Sequence, residues 1–200
     1  RPTRPGLGEW APGALMTFEP GREGASGPAY GAIVGSGANA NALHYLDARK
    51  ALAAGEGVLV DYGPEVDHYV TDITRTWPVG GRFEGRLKEL YEAVLASQKA
   101  GIAAAKPGAT MGDVDAAARA ELDRRGFGPL LIHGVCHSVG LEVHDPGPRK
   151  GVLVPGVTFT IEPGAYDRKL GVGVRIEDVV VITEDGCEVL SADAPKEIAE

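Results

Sequence analysis

The chain has 200 residues, of which 44% are hydrophobic, and its formal net charge is −8. This length favours one domain with a sizeable core, and the charge argues against nucleic acid or an anionic membrane surface as a partner. We find no apolar run near the roughly 18 residues of a membrane span and no signal-peptide pattern. The two isolated cysteines, Cys136 and Cys187, suit a reducing compartment, so we expect a cytoplasmic protein.

The first part of the chain predicts a proline-rich start followed by β-strands. Residues 1–27 are rich in proline and glycine, which makes a long unbroken helix improbable there. Residues 29–36 and 57–62 then predict strands. Residues 66–77 alternate and are β-branched, which predicts another strand after the turn at Gly63-Pro64.

Two helices are predicted in the middle of the chain. Apolar residues at i, i+3, i+4 spacing indicate the first, from Glu84 to Ala105. The second begins after Thr110, where Asp113 completes a capping-box-like pattern, and it ends at Gly126. The remaining residues, 130–191, predict mostly strands. This order favours an α+β domain with helices packed on one face of a curved antiparallel sheet.

Two aspartates stand on either side of a predicted turn. Asp61 and Asp72 are eleven residues apart. This odd separation lets them face each other across a hairpin, with Cβ atoms about 4.5–5.5 Å apart. Such a pair suits two metal ions about 3.5–4 Å apart. The alternative is a solvated aspartate at each strand end, which fits Asp72 less well because it interrupts an apolar strand.

Three of the five histidines lie within twelve residues, at His133, His137 and His144. On a strand, His133 and His137 share a face. The alternative is a set of core histidines bonded to the backbone. The predicted strands nearby favour a site, because they also carry carboxylates.

Two glutamates lie in or beside apolar strands. Glu162 follows the residues VTFTI, and Glu177 lies within VRIEDVVVIT. Carboxylates are rarely buried without a partner, which for Glu177 is either a metal or Arg175. Together with His137 and the aspartates, they provide what a pair of divalent ions needs. This set suits Mn²⁺, with Co²⁺, Fe²⁺ or Zn²⁺ possible, and points to a hydrolase that activates water between two metals.

Four motifs in order carry a family resemblance: VDYG…TDITRT, HGVCHSVGLEVHD, TIEPGAY and VRIED. From about Tyr30 to Thr183, the chain resembles the catalytic domain of the metallopeptidases that include aminopeptidase P, prolidase and methionine aminopeptidase. Their shared fold is the pita-bread fold. The resemblance implies a catalytic domain over residues 28–200, a divergent start over residues 1–27, and no counterpart of the relatives' N-terminal domain.

The resemblance also implies a role for each site residue. The implied ligands of two divalent metals are Asp61, Asp72, His137, Glu162 and Glu177. The implied groups that act on the peptide are Glu162 as general base, with His44 and His144 as oxyanion-stabilising or peptide-orienting residues. The implied substrate-binding or ligand-supporting residues are His133, Tyr166 and Arg175.

The HxxGLxxHD form at residues 137–145 resembles aminopeptidase P and prolidase rather than methionine aminopeptidase. This implies a manganese-dependent exopeptidase for peptides with proline at the second position, active as a homo-oligomer (a dimer or tetramer). Aminopeptidase P is the preferred interpretation, and prolidase is the alternative. A non-catalytic peptide- or protein-binding module on the same fold usually loses metal ligands. A metal-free creatinase-like hydrolase does without the carboxylate set present here.

Overall fold

The computed structural model describes residues 3–147 and 151–198, so residues 1–2 of the predicted proline-rich start lie outside the described residues. The α-helices in these ranges are α1 (Trp10–Arg22), α2 (Gly85–Ala104) and α3 (Met111–Arg124). The first six strands are β1 (Gly27–Pro28), β2 (Ile33–Ser36), β3 (Gly57–Tyr62), β4 (Pro64–Val66), β5 (Tyr69–Val70) and β6 (Ile73–Pro78). The remaining strands are β7 (Thr158–Ile161), β8 (Gly164–Asp167), β9 (Val172–Arg175), β10 (Asp178–Ile182) and β11 (Cys187–Val189). Short 3₁₀ helices cover Gly37–Asn41 and Gly128–Leu130.

The strands form small antiparallel sheets. Strand β3 lies between β2 and β6, and β10 lies between β11 and β7. Strands β8 and β9 form a pair, and β4 lies between β1 and β5. No helix in the described ranges is long and apolar enough to span a membrane.

Helices α2 and α3 confirm the predictions for the middle of the chain. The Thr110 side chain accepts from the Asp113 backbone, and the Asp113 side chain accepts from the Thr110 backbone, which completes a capping box. Gly126, with a φ of 82°, follows the end of α3. Both helices pack on a core that includes the fully buried side chains of Leu90, Val114 and Phe159. A second core lies beneath α1 and contains Val34, Leu52, Val58, Val60 and Val79.

Helix α1 corrects the prediction for residues 1–27. Despite two prolines, residues 10–22 form a helix of 13 residues. Pro12 lies in the first turn, where a backbone N–H has no partner within the helix in any case. Pro20 lies in the last turn, so it interrupts the hydrogen-bond ladder only near the end. The prolines therefore limit the length of the helix without preventing it.

The histidine-rich segment, residues 130–145, is the second correction. It was predicted to be strand, but it is irregular apart from an isolated bridge between Ser138 and Phe159. Two of its carbonyls do accept hydrogen bonds from β7 and from the residue that follows it. Thr160 N donates to His137 O, and Glu162 N donates to Val135 O. The N–H groups of Val135 and His137 donate to the side chains of Asp115 and Thr160 instead. This one-sided pairing leaves no regular ladder.

The predicted strands at 29–36 and 66–77 are shorter than expected. Only residues 33–36 of the first are strand. The second is broken by a turn in which Asp67 and His68 have positive φ values of 50° and 69°. The break separates β4 from β5 and leaves β6 as the longest part of the predicted strand.

A buried ionic network lies directly behind strand β10. Asp178 is fully buried and accepts from Arg75 Nη2 and Ser191 Oγ, both at 2.6 Å, from Gln98 Nε2 at 2.5 Å, and from Lys196 Nζ. Arg75 also donates to the carbonyl of Glu177. The network therefore holds the C-terminal residues and the start of β10 together.

Replacing Asp178 with alanine is expected to destabilise the fold by about 3–5 kcal/mol, because Arg75 and Lys196 then lose their shared buried counterion. The measurement is the free energy of unfolding in urea. Asp193→Ala is the control, since that aspartate is exposed. Equal stability of the two variants would contradict the assigned role of the network.

Candidate metal centre

Five side chains from separate segments line one cavity of about 260 Å³. They come from the end of β3, the residue before β6, the loop before β7, the residue after β7 and the turn between β9 and β10. In that order they are Asp61, Asp72, His137, Glu162 and Glu177. The structure thus brings together all of the side chains that were predicted as metal ligands.

His137 lies among three of these carboxylates. Its Nε2 atom is 3.4 Å from Glu162 Oε1, 3.5 Å from Asp72 Oδ2 and 4.0 Å from Glu177 Oε1. Asp72, His137 and Glu177 each place a ligand atom within 4.8 Å of the others. Ligand atoms that bind one divalent ion at about 2.0–2.2 Å lie roughly 3–4 Å apart. The spacing is therefore close to that of a metal site.

The two aspartates are diagonal, so the prediction that they face each other directly is wrong. Asp61 pairs with Thr74. Asp72 precedes Thr74 by two residues and is therefore not directly opposite Asp61. The reason is that the connection between β3 and β6 contains β4 and β5. Residues two apart still share a face of the sheet. The Tyr30 hydroxyl joins the pair, at 2.6 Å from Asp61 Oδ1 and 2.5 Å from Asp72 Oδ1.

Buried Arg175 supports the other side of Asp61. Its Nη2 donates to Asp61 Oδ2 at 2.5 Å, and its Nη1 donates to the Tyr166 hydroxyl at 3.1 Å. Its Nε donates to Thr74 Oγ1, and Thr74 in turn donates to Glu177 Oε2 at 2.6 Å. One chain of hydrogen bonds therefore links two of the predicted ligands.

The carboxylates of this centre carry more negative charge than the positively charged side chains around them can balance. Burial raises the pKa of Glu162 to about 7 and that of Asp61 to about 6, although Arg175 opposes both shifts. Burial and the surrounding carboxylates hold the pKa of Glu177 well above its usual range. Burial would lower the pKa of His137, but the carboxylates beside it raise that pKa above its usual value.

Divalent cations suit the donor set of this centre. The donor set is oxygen-rich with one imidazole, which is the chemistry that Mn²⁺ and similar ions accept. Their positive charge would offset the repulsion among the four carboxylates. Arg175 alone supplies a fixed positive charge among the residues that line the cavity and are described.

Of the other predicted site residues, His44, His133, His144 and Arg175 line the same cavity, and Tyr166 contacts two of them. His44 and His144 are exposed at its mouth, and they also line an adjoining cavity of about 280 Å³. The rings of His137 and His144 meet edge to face, with centroids 4.4 Å apart. His133 Nε2 is 2.9 Å from the Tyr166 hydroxyl. All of them are near the cluster, while their roles stay predictions.

Comparison with known proteins places this architecture in a family. The family model of metallopeptidase family M24 matches residues 3–184. The chain belongs to metallopeptidase family M24. This membership confirms the family resemblance that the four motifs indicate.

Relatives in the M24 family include peptidases of two names. The chain is 43% identical to the Xaa-Pro dipeptidase of Pyrococcus furiosus, over 84% of this chain and 49% of that protein. It is 36% identical to the Xaa-Pro aminopeptidase of Escherichia coli, over 96% of this chain and 51% of that protein. The chain thus spans about half the length of the curated relatives it matches.

Solved structures of M24 relatives confirm the pita-bread fold. The prolidase from Pyrococcus furiosus superposes with a TM-score of 0.88 at 39% identity, covering 94% of this chain and 56% of that chain. An aminopeptidase from Pseudomonas aeruginosa gives 0.91 at 37% identity, covering 98% and 52%.

Sequence reasoning missed Tyr30 and Thr74, although both contact predicted M24 ligands. Tyr30 is 31 and 42 residues from the two aspartates it joins, so no local spacing reveals it. Thr74 had a weak signal, because it lies two residues after Asp72 and therefore on the same strand face.

Metal affinity at this M24 centre is expected to rise with pH. Glu162 and Asp61 have pKa values of about 7 and about 6 without metal, so below these values an ion must displace their protons. From pH 5.5 to pH 7.5 the association constant for Mn²⁺ should rise by at least about tenfold. Calorimetry in two buffers of different ionisation enthalpy measures the proton release. Affinity that stays constant across this range would contradict the assignment.

Proposed function

We propose that this chain is the catalytic part of an Xaa-Pro aminopeptidase, an exopeptidase that removes the first residue from peptides with proline at the second position. The observation that carries the proposal is the placement of His137 within 3.4–4.0 Å of three carboxylates in a cavity flanked by His44 and His144. The peptidase names of the M24 relatives support the substrate class.

The five predicted ligands would hold two divalent ions, which supply a water of lowered pKa and polarise a carbonyl. Glu162 is suited to accept a proton at neutral pH, because its pKa is about 7, and to pass it to the leaving nitrogen. The Tyr30 hydroxyl lies within hydrogen-bond distance of both aspartates, and Arg175 donates to Asp61 from the other side.

His44 and His144 orient the substrate at the cavity mouth. Both are exposed, and both line each of the two adjoining cavities. From there, an imidazole N–H reaches the scissile carbonyl as negative charge develops on its oxygen. The cavities on either side of these rings give room for the residues flanking the bond.

Prolidase activity, the cleavage of Xaa-Pro dipeptides, is the second candidate. The 43% identity to an Xaa-Pro dipeptidase favours it. The match to an Xaa-Pro aminopeptidase favours the aminopeptidase, because it extends over 96% of this chain, against 84% for the dipeptidase. We further propose manganese as the metal, a cytoplasmic location, and assembly as a dimer or tetramer.

The deciding experiment compares Xaa-Pro, Xaa-Pro-Yaa and Xaa-Ala-Yaa peptides with the manganese-loaded chain and a chelator control. The proposal expects chelator-sensitive release of the first residue from Xaa-Pro-Yaa and little cleavage of Xaa-Ala-Yaa. Cleavage of the dipeptide alone would establish the prolidase instead. Failure to cleave any of the three would favour the non-catalytic binding module.

A further inference from the structure

A fully buried carboxylate outside the metal centre has no part in the chemistry proposed so far. Glu9 precedes α1 and has no exposed surface. Its Oε1 accepts from Ser36 N at 2.7 Å, Ser36 Oγ at 2.8 Å and Asn39 Nδ2 at 3.1 Å. Its Oε2 accepts from Lys50 N at 3.1 Å and from Asn39 Nδ2 at 3.3 Å. Neither oxygen contacts a metal ligand through these bonds.

These bonds tie both ends of one loop to the same carboxylate. Residues 36–50, the His44 loop, leave the end of β2 at Ser36 and return at Lys50. The backbone of Glu9 adds a bond to the carbonyl of Lys50 at 2.9 Å. The Lys50 ammonium also donates to the carbonyl of Ser36, at 3.2 Å. The two ends of the loop are therefore fixed relative to each other.

A relay leads from Glu9 to the residue beside His44. The Asn39 amide that contacts Glu9 also donates to the Tyr45 hydroxyl at 2.9 Å. Residues 42–50 contain neither helix nor strand. The position of His44 therefore depends on side-chain bonds of this kind more than on a backbone ladder.

We propose that Glu9 is a positioning residue that holds the His44 loop so that the His44 ring lines the metal-centre cavity. The kinetic part of this inference rests on the proposed function. Glu9 acts through His44 and does not touch the substrate. The carboxylate of Glu9 is buried and accepts five hydrogen bonds. These bonds connect the start of α1 to both ends of the His44 loop and, through Asn39, to Tyr45.

Glu9→Gln tests this positioning role with little change in side-chain volume. The amide replaces one acceptor oxygen by a donor, which would face the N–H of Ser36 or of Lys50. The matched control is Glu19→Gln on α1, the helix that follows Glu9, where the glutamate is exposed and pairs with Arg22. Tyr45→Phe removes only the hydroxyl that receives the relay, so it tests the same path if Glu9→Gln fails to fold.

The kinetic test is a double-mutant cycle with His44→Ala, assayed on Xaa-Pro-Yaa. Glu9→Gln should lower kcat by about tenfold with little change in KM. This loss in kcat is smaller than the roughly 100-fold loss that follows when a group at the reacting centre is misplaced by about 1 Å. In the His44→Ala background, Glu9→Gln should have no further effect, since the residue it positions is gone. An equal loss in both backgrounds, or no loss in the first, would overturn the proposal.

The second readout does not require activity. Imidazole NMR signals of the five histidines are recorded, and His44 is assigned by its loss in His44→Ala. The His44 signal should shift or broaden in Glu9→Gln and in Tyr45→Phe, and stay unchanged in Glu19→Gln. An unchanged His44 signal in folded Glu9→Gln and Tyr45→Phe would overturn the positioning role of Glu9. If the wild-type chain cleaves no peptide, the proposed function fails, and this signal alone still decides the role of Glu9.

Discussion

Replacing Glu177 with alanine is expected to abolish metal binding and to lower the rate of peptide cleavage by more than about 100-fold. Loss of a residue that only supports a metal ligand lowers activity by at most about 100-fold, so loss of a ligand itself should have a larger effect. Glu177 is buried, lies 4.0 Å from His137 Nε2 and receives the Thr74 hydroxyl at 2.6 Å. Metal content by mass spectrometry and cleavage rate are the two measurements.

The same substitution should leave the metal-free protein folded and no less stable. The pKa of Glu177 is raised by burial and by the neighbouring carboxylates, so its charge is unfavourable without a cation. Glu188→Ala, on neighbouring strand β11, is the control, since that side chain is exposed. A Glu177→Ala protein that retains two ions and full activity would refute the ligand assignment.

Replacing Glu162 with glutamine is expected to lower kcat by about 10²–10⁴-fold, the range for loss of a general base. The amide keeps the volume of the side chain and can still act as a neutral oxygen ligand, but it cannot accept a proton. The effect should therefore appear in kcat more than in KM. Steady-state kinetics on an Xaa-Pro-Yaa peptide, at saturating Mn²⁺, measures it.

A pH profile separates the two roles of Glu162. The wild-type rate should fall at low pH as the essential carboxylate becomes protonated, and this limb should be absent or displaced in Glu162→Gln. Glu184→Gln, at an exposed position, is the control and should match the wild type. A Glu162→Gln enzyme with the wild-type profile would show that another group accepts the proton.

Local signals account for the elements that the sequence predicts well. Helix α3 has its capping box in four consecutive residues, and α2 has a regular apolar face, so neither needs tertiary information. The gathering of the five predicted ligand side chains in one cavity also had a local signal, because Asp72 and Glu177 interrupt apolar stretches and a buried carboxylate needs a partner.

Features that depend on distant contacts were not predictable. The register that pairs Asp61 with Thr74 depends on the short strands within the turn, which separation alone does not reveal. In the histidine segment, the N–H groups of Val135 and His137 donate to the side chains of Asp115 on α3 and of Thr160 on β7, which are distant in sequence. Tyr30 is close to the aspartates only after β2 and β3 have paired.

The most direct test of the two-metal centre is a titration of the metal-free chain with Mn²⁺, in which bound metal and cleavage of an Xaa-Pro-Yaa peptide are followed together. Two ions should bind per chain, activity should rise until the centre is filled, and a chelator should reverse both. Binding of fewer than two ions per chain, or cleavage that the chelator leaves unchanged, would contradict a dinuclear centre formed by Asp61, Asp72, His137, Glu162 and Glu177.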